Sequence, residues 1–217
     1  MTDALSPRSD YPCLCQSTYL NQASLGLLSN KTVAEMTKFL NKVARHGNLK
    51  MSDKEEAGFL NSLRGSVSKL LKAKPENIAI LSSASELLSQ VPKLCSPEPN
   101  SKIILISTDF PSITRPWLTS ENTDNLEICF VNEDPNADLT QTIIENIDSN
   151  TSVVCISYVQ FSSGTRIDVK KLNKYTKEFG AKLVIDVTQA AGAIPIDVSE
   201  WSADILVCSG YKWLGGH

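Results

Sequence analysis

A chain of 217 residues is long enough to bury a sizeable core and fits one large domain. With 41% hydrophobic and 21% charged residues and a formal net charge of −3, it reads as an ordinary globular protein. It has neither the basic stripe of a nucleic-acid binder nor an apolar run long enough to cross a membrane. Residues 1–17 lack the apolar stretch of a secretory leader, so a cytoplasmic location is expected. The histidines, His46 and His217, have no metal-ligand spacing to the Cys13-Leu14-Cys15 pair, and no metal is expected. Cys129, Cys155 and Cys208 lie in apolar runs and read as small buried hydrophobes.

Residues 1–17 form a polar arm, and the domain is expected to occupy 18–217. A helix is expected over residues 31–45, with Val33, Met36, Leu40 and Val43 on one face. The next begins at the capping box Ser52-Asp53-Lys54-Glu55. It keeps helical period through Phe59, Leu60, Leu63, Val67, Leu70 and Leu71, and Lys74-Pro75-Glu76-Asn77 ends it. Strands and helices then alternate. Apolar runs at 78–81, 103–106, 127–131, 153–157, 183–187 and 205–208 are expected strands. Helices are expected over 85–94, after Asp138 (Leu139, Ile143, Ile144, Ile147), and over 169–179, where Gly180 stops the last. Short continuous runs of Val, Ile and Leu belong to strands covered on both faces. The fold class is therefore α/β, a mainly parallel sheet flanked by helices and preceded by N-terminal helices. The sequence stops at Gly215-Gly216-His217, directly after a strand and turn, and a truncated chain is the expectation.

Ligands of an open parallel sheet bind beyond the carboxyl ends of its strands. There the sequence places Ser82-Ser83-Ala84-Ser85, Asp109-Phe110-Pro111, Gln160 with Ser162-Ser163-Gly164, Asp186-Val187-Thr188-Gln189, and Ser209-Gly210-Tyr211-Lys212. Each group alone has an ordinary reading: a solvated lysine, a capping aspartate, a core aromatic. Together they suit a phosphorylated pyridine aldehyde. Its phosphate wants a helix N-terminus and hydroxyls, offered by Ala84, Ser85 and Ser209. Its ring wants an aromatic face, offered by Phe110. Its pyridine nitrogen stays protonated beside a buried carboxylate, Asp186. Its phenolic oxygen wants a donor, Gln189, and its aldehyde an amine, Lys212. Neither GxGxxG nor GxxxxGK[ST] occurs, which argues against dinucleotide and P-loop sites.

Val184-Ile185-Asp186-Val187-Thr188-Gln189-Ala190-Ala191-Gly192, followed by Asp204-Ile205-Leu206-Val207-Cys208-Ser209-Gly210-Tyr211-Lys212-Trp213-Leu214, resembles the class V aminotransferase family. That family holds cysteine desulfurases, selenocysteine lyases, kynureninases and isopenicillin-epimerase-like enzymes, all fold-type I enzymes of pyridoxal 5'-phosphate (PLP). Tyr19-Leu20-Asn21-Gln22-Ala23-Ser24-Leu25-Gly26 resembles its opening segment, which lines the active site. Arg115-Pro116-Trp117 and residues 159–164 match further stretches. The resemblance implies Lys212 as the Schiff-base lysine, Asp186 as the pyridinium partner and Gln189 at the phenolic oxygen. It implies Ala84, Ser85, Ser209 and Tyr211 as the phosphate cradle and Phe110 as the stacking ring. It also implies an amino-acid substrate, a homodimer, and a small C-terminal domain that this chain lacks.

The sequence departs from the pattern in three places. Phe110 stands where desulfurases usually carry histidine, nearer the kynureninase and epimerase-like branches. Ser83 stands where the phosphate loop usually has glycine, and Tyr211 where histidine often precedes the lysine. None of the six cysteines matches the desulfurase nucleophile. The leading expectation is an aminotransferase, lyase or epimerase type of chemistry, with weak or no turnover by these 217 residues alone. The alternatives are a cysteine desulfurase or selenocysteine lyase and, from another class, a non-catalytic binding or scaffold protein on the same fold.

Overall fold

In the computed structural model, residues 7–119 and 125–216 are described. Residues 1–6 of the expected arm and His217 lie outside them. The rest of the arm holds a 3-10 turn at Arg8–Asp10 and a short helix α1, Cys13–Gln16. Helix α2, Asn30–His46, follows and matches the expected periodicity. Ser29 caps it by accepting from the Thr32 amide at 3.1 Å.

The long helix expected after the capping box is two helices, α3 (Asp53–Ala57) and α4 (Asn61–Leu71). The Ser52/Glu55 box forms as expected, with Ser52 N donating to the Glu55 carboxylate at 2.9 Å. The ladder then tightens at Gly58, where Phe59 N bonds Glu56 O and Asn61 N bonds Gly58 O, both over three residues. A glycine lacks the side-chain restraint that would hold the α ladder, so the chain turns there.

Five strands form one sheet: β1 Lys102–Ile106, β2 Glu127–Val131, β3 Thr151–Ser157, β4 Lys182–Asp186 and β5 Ile205–Val207. Their order is β2-β1-β3-β4-β5 and every pairing is parallel. The sixth expected strand, residues 78–81, is not in the sheet. It pairs with no strand among the described residues, and the Ile78 carbonyl accepts from Arg64 Nε at 3.3 Å instead of from a ladder amide.

Helices cover both faces, as continuous apolar strands require. Along β1, Ile103 and Leu105 pack against α5 (Ala84–Cys95), α6 (Pro111–Thr114) and α7 (Pro116–Thr119) through Leu88, Val91, Ile113 and Trp117. Ile104 and Ile106 turn to the other face, towards Ile143, Leu172 and Trp201. Those three sit on α8 (Leu139–Glu145), α9 (Val169–Glu178) and α10 (Val198–Trp201). Asp138, Asp168 and Asp197 cap these helices with their carboxylates, and Gly180 follows α9 at φ 73°.

The strand order has a physical consequence. From β1 the chain crosses outward to β2, then returns past β1 to β3 and continues the opposite way to β4 and β5. The crossovers diverge between β1 and β3, which opens a crevice at their carboxyl ends. Among the described residues no helix is long and apolar enough to cross a membrane.

Candidate active site

The crevice is built around a buried carboxylate. Asp109, three residues past β1, is 5% exposed. Its Oδ2 accepts from Ser157 N at 2.7 Å, and its Oδ1 accepts from Ser157 Oγ at 2.7 Å and from Phe110 N at 2.7 Å. Gln160 Nε2 approaches Oδ2 at 3.5 Å and donates to Ser157 O at 3.2 Å. Asp109 thus ties the exit of β1 to the end of β3 at the switch point. Burial pushes its carboxyl above the ordinary value, against the pull of these donors.

Phe110 follows directly and opens α6, with Pro111 at the first helical position where no amide is missed. Its ring lies 5.4 Å from the Phe161 ring, nearly edge-on at 86°. Lys212, in the loop after β5, places Nζ 5.6 Å from the Phe110 ring centre and 5.8 Å from that of Tyr211. Lys212 is 8% exposed and forms no ion pair among the described residues. Desolvation lowers its proton affinity, and the charge of Asp186 partly restores it.

Asp186 ends β4, 8% exposed, and accepts from Thr188 N at 2.7 Å. Burial pushes its carboxyl up to about 6; the Thr188 bonds oppose the shift, Asp109 adds to it, and Lys212 opposes it. Ser209 is held beside this turn by its amide, which donates to Thr188 Oγ1 at 3.0 Å. Gln189 is engaged at both ends of its amide. Its Nε2 donates to Ala23 O at 3.1 Å and its Oε1 accepts from Trp213 Nε1 at 3.0 Å. Ala84 is the first residue of α5, and Ser85 Oγ pairs with Ser112 Oγ of α6 at 2.9 Å.

The structure therefore brings Lys212, Phe110, Tyr211 and Asp186 around one point. Ser85 joins them through α6, and Ser209 joins through the Asp186 turn. In the sequence, Asp109 and Gln160 stand at strand ends without a task, and no task of their own attaches to Ser157, Phe161 or Gly26. Only the register of β1 and β3 reveals the Asp109–Ser157 pair. Gly26 carried a signal of its own: a Cβ there would lie 1.9 Å from Lys212 O, so the backbone passes where only glycine fits.

The donor set fits a cationic, phosphorylated aldehyde. It offers a buried acid for a positive ring, an amine without an ion-pair partner among the described residues, an exposed aromatic face and helix-start hydroxyls. Comparison with known proteins points the same way. An uncharacterized aminotransferase, YcbU, of Bacillus subtilis (strain 168) is 26% identical over 166 residues, 70% of this chain and 40% of the relative. Two solved structures share the fold. A mutant C-DES with glycine covalently linked to its PLP cofactor superposes with a TM-score of 0.88 at 17% identity, covering 98% of this chain and 57% of that one. The apo cysteine desulfurase of Thermococcus onnurineus NA1 gives 0.80 at 23% identity, with 95% and 52% covered. The chain thus spans about half the length of the proteins it matches. Residues 18–217 match the family model for class-V aminotransferases, and the chain belongs to that family.

Proposed function

We propose that this chain is the PLP-binding part of an enzyme that acts on an amino acid, with Lys212 as the amine that holds the cofactor. One observation carries the reading. A buried lysine holds its amine near two aromatic rings, without an ion-pair partner among the described residues, within reach of the charge of a buried carboxylate. An unpaired buried lysine costs stability and persists where its amine has chemical work.

When bound, PLP supplies an aldehyde for amines and a pyridinium ring that withdraws electrons from the substrate's bonds. The chain's residues supply the rest. Asp186, ionised by a positive ring beside it, would hold that ring's proton. Phe110 would cover one ring face, steadied by Phe161. The Ala84 amide and the hydroxyls of Ser85, Ser209 and Tyr211 would take the phosphate. The Gln189 amide has one N–H left for the phenolic oxygen beyond its bond to Ala23. Lys212, its proton affinity lowered by burial, would move protons at the substrate carbon.

Sulfur removal needs a reactive thiol. Cys208, near Lys212 in sequence, has a thiol pushed up to about 12 by burial, which makes it a poor nucleophile. The reading extends to a cytoplasmic homodimer: all described cysteines are free, as reducing compartments keep them, and α2 shows an exposed apolar face.

The test is spectroscopic. Adding PLP to the purified protein should give a visible absorption band that Lys212→Ala abolishes. Borohydride reduction should then leave the cofactor's mass on the peptide containing residue 212. A folded sample with no band, or label on another lysine, refutes the reading and favours a non-catalytic protein on this fold.

A further inference from the structure

We infer that residues 21–27 form a strap that fixes where the Lys212 amine stands, with Gln22 as its positioning residue. This rests on Lys212 being the cofactor-holding amine.

The amine is not anchored at its tip: among the described residues it has ring neighbours and no ion pair. A group that must exchange partners is better left so, but its position must then be set at the root of the side chain. The sheet does not set it, because the β4–β5 ladder ends at Val207, five residues earlier. The strap does. Gln22 Nε2 donates to Lys212 O at 2.9 Å, while Gln22 Oε1 accepts from Leu27 N at 3.2 Å. One side chain therefore closes the strap on itself and clasps the lysine's carbonyl 190 residues away.

The neighbouring carbonyl is held too, since Gly26 N donates to Tyr211 O at 2.9 Å. The backbones approach so closely that a Cβ on Gly26 would sit 1.9 Å from Lys212 O and 2.8 Å from Tyr211 O. Beyond the lysine, Gln189 completes the clasp by bonding Ala23 O on the strap and Trp213 Nε1 on the loop. Tyr211, Lys212 and Trp213 are thus each held in turn. Small displacements of a reacting group cost large factors in rate, so the clasp bears on chemistry as well as on folding.

The experiment uses the whole protein with two variants. Gln22→Met keeps length and loses both bonds. Gln22→Glu keeps the acceptor for Leu27 N and loses the donor to Lys212 O. Gln141→Met, which likewise loses one accepted and one donated bond but on α8, to Lys171 and Glu145, is the control. Amide hydrogen exchange over residues 210–216 should speed up about tenfold in both variants, the effect of roughly one lost hydrogen bond. The rate at which saturating PLP becomes borohydride-trapped on residue 212 should fall by about fivefold to tenfold on the same footing. Unchanged exchange overturns the strap. Faster exchange with wild-type trapping overturns the positioning role and leaves only a structural one. If PLP never reaches residue 212 in the unsubstituted protein, the proposed function falls instead, and exchange alone still judges the strap. Should Gln22→Met not fold, Gln22→Glu carries both readings.

Discussion

Asp186 is an acid in the wrong solvent. Its carboxyl ordinarily titrates near 3.8 and here titrates at about 6, because burial strips the water that would support its charge. The sign of the consequence follows from linkage. Below about pH 4 the group is protonated whether the chain is folded or not, and nothing is lost. Between about pH 4 and 6 the folded chain keeps a proton that the unfolded chain releases. Above about pH 6 both are ionised, and the folded state carries the full penalty, at most about 3 kcal/mol. Without cofactor, Asp186→Asn should therefore be more stable than the parent at pH 7, by about 2 kcal/mol after relaxation, and nearly equal to it at pH 4. Urea unfolding at the two pH values measures this, and a difference independent of pH defeats it. The same substitution should abolish tight PLP binding, since a neutral amide cannot hold a positive ring in place.

Asp109 is raised by burial as well, yet removing it should act the other way on stability. Its carboxylate satisfies the amides of Ser157 and Phe110 and the Ser157 hydroxyl, so Asp109→Ala strands donors that stay buried. The expected loss is about 3 kcal/mol in denaturant unfolding, together with weaker PLP binding as Phe110 loosens. These two acids also show what the sequence could and could not disclose. Asp186 was readable because it follows an apolar strand and is spaced three residues from Gln189. Asp109 has the same local setting, yet its task depends on Ser157, 48 positions away, which only the β1–β3 pairing brings opposite.

Elements were legible where one physical signal dominated. The α2 stripe, the Asp138 cap and the Gly180 stop each came through because period, cap and stop agreed. Residues 58–60 misled because Phe59 and Leu60 continue a helical period across a glycine, and the tighter turn won locally. Residues 78–81 misled because apolar composition describes burial without naming a partner strand. The start of α5 tests how far local caps support the site. Ser83 Oγ accepts from Glu86 N at 3.1 Å, while Glu86 reaches back to Ser82 N at 3.1 Å. Ser83→Ala should cost about 1 kcal/mol, a drop of roughly 2–4 °C in Tm for a chain of this size. It should weaken PLP further if this helix start receives the phosphate, which titration of the band would read. A Tm loss with unchanged affinity would leave the cap structural only.

At the scale of the molecule, burial is uneven. The sheet and its flanking helices enclose two apolar layers, whereas α2 has no buried residue along its 17 positions. Val33, Met36, Phe39, Leu40 and Val43 stay exposed on it, Leu40 to 64%, and Phe59 and Leu63 extend the patch. Phe39 on α2 and Phe59 in the turn before α4 meet at 5.5 Å, so the apolar surface continues from the helix onto that turn. Such patches are uncommon on stable monomers and mark surfaces that bury themselves on association. The chain should therefore associate with rising concentration, and the double variant Leu40→Lys with Val43→Lys should shift it towards monomer in sedimentation velocity. The outcome bears on the site as well. The strap at residues 21–27 leads within two residues to the Ser29 cap of α2, so covering α2 should also steady the approach to Lys212. If association and PLP trapping at residue 212 rise together with concentration, and both fall in the double variant, the apolar face and the lysine loop are coupled through that short connection. Trapping that ignores concentration while the chains associate would separate them.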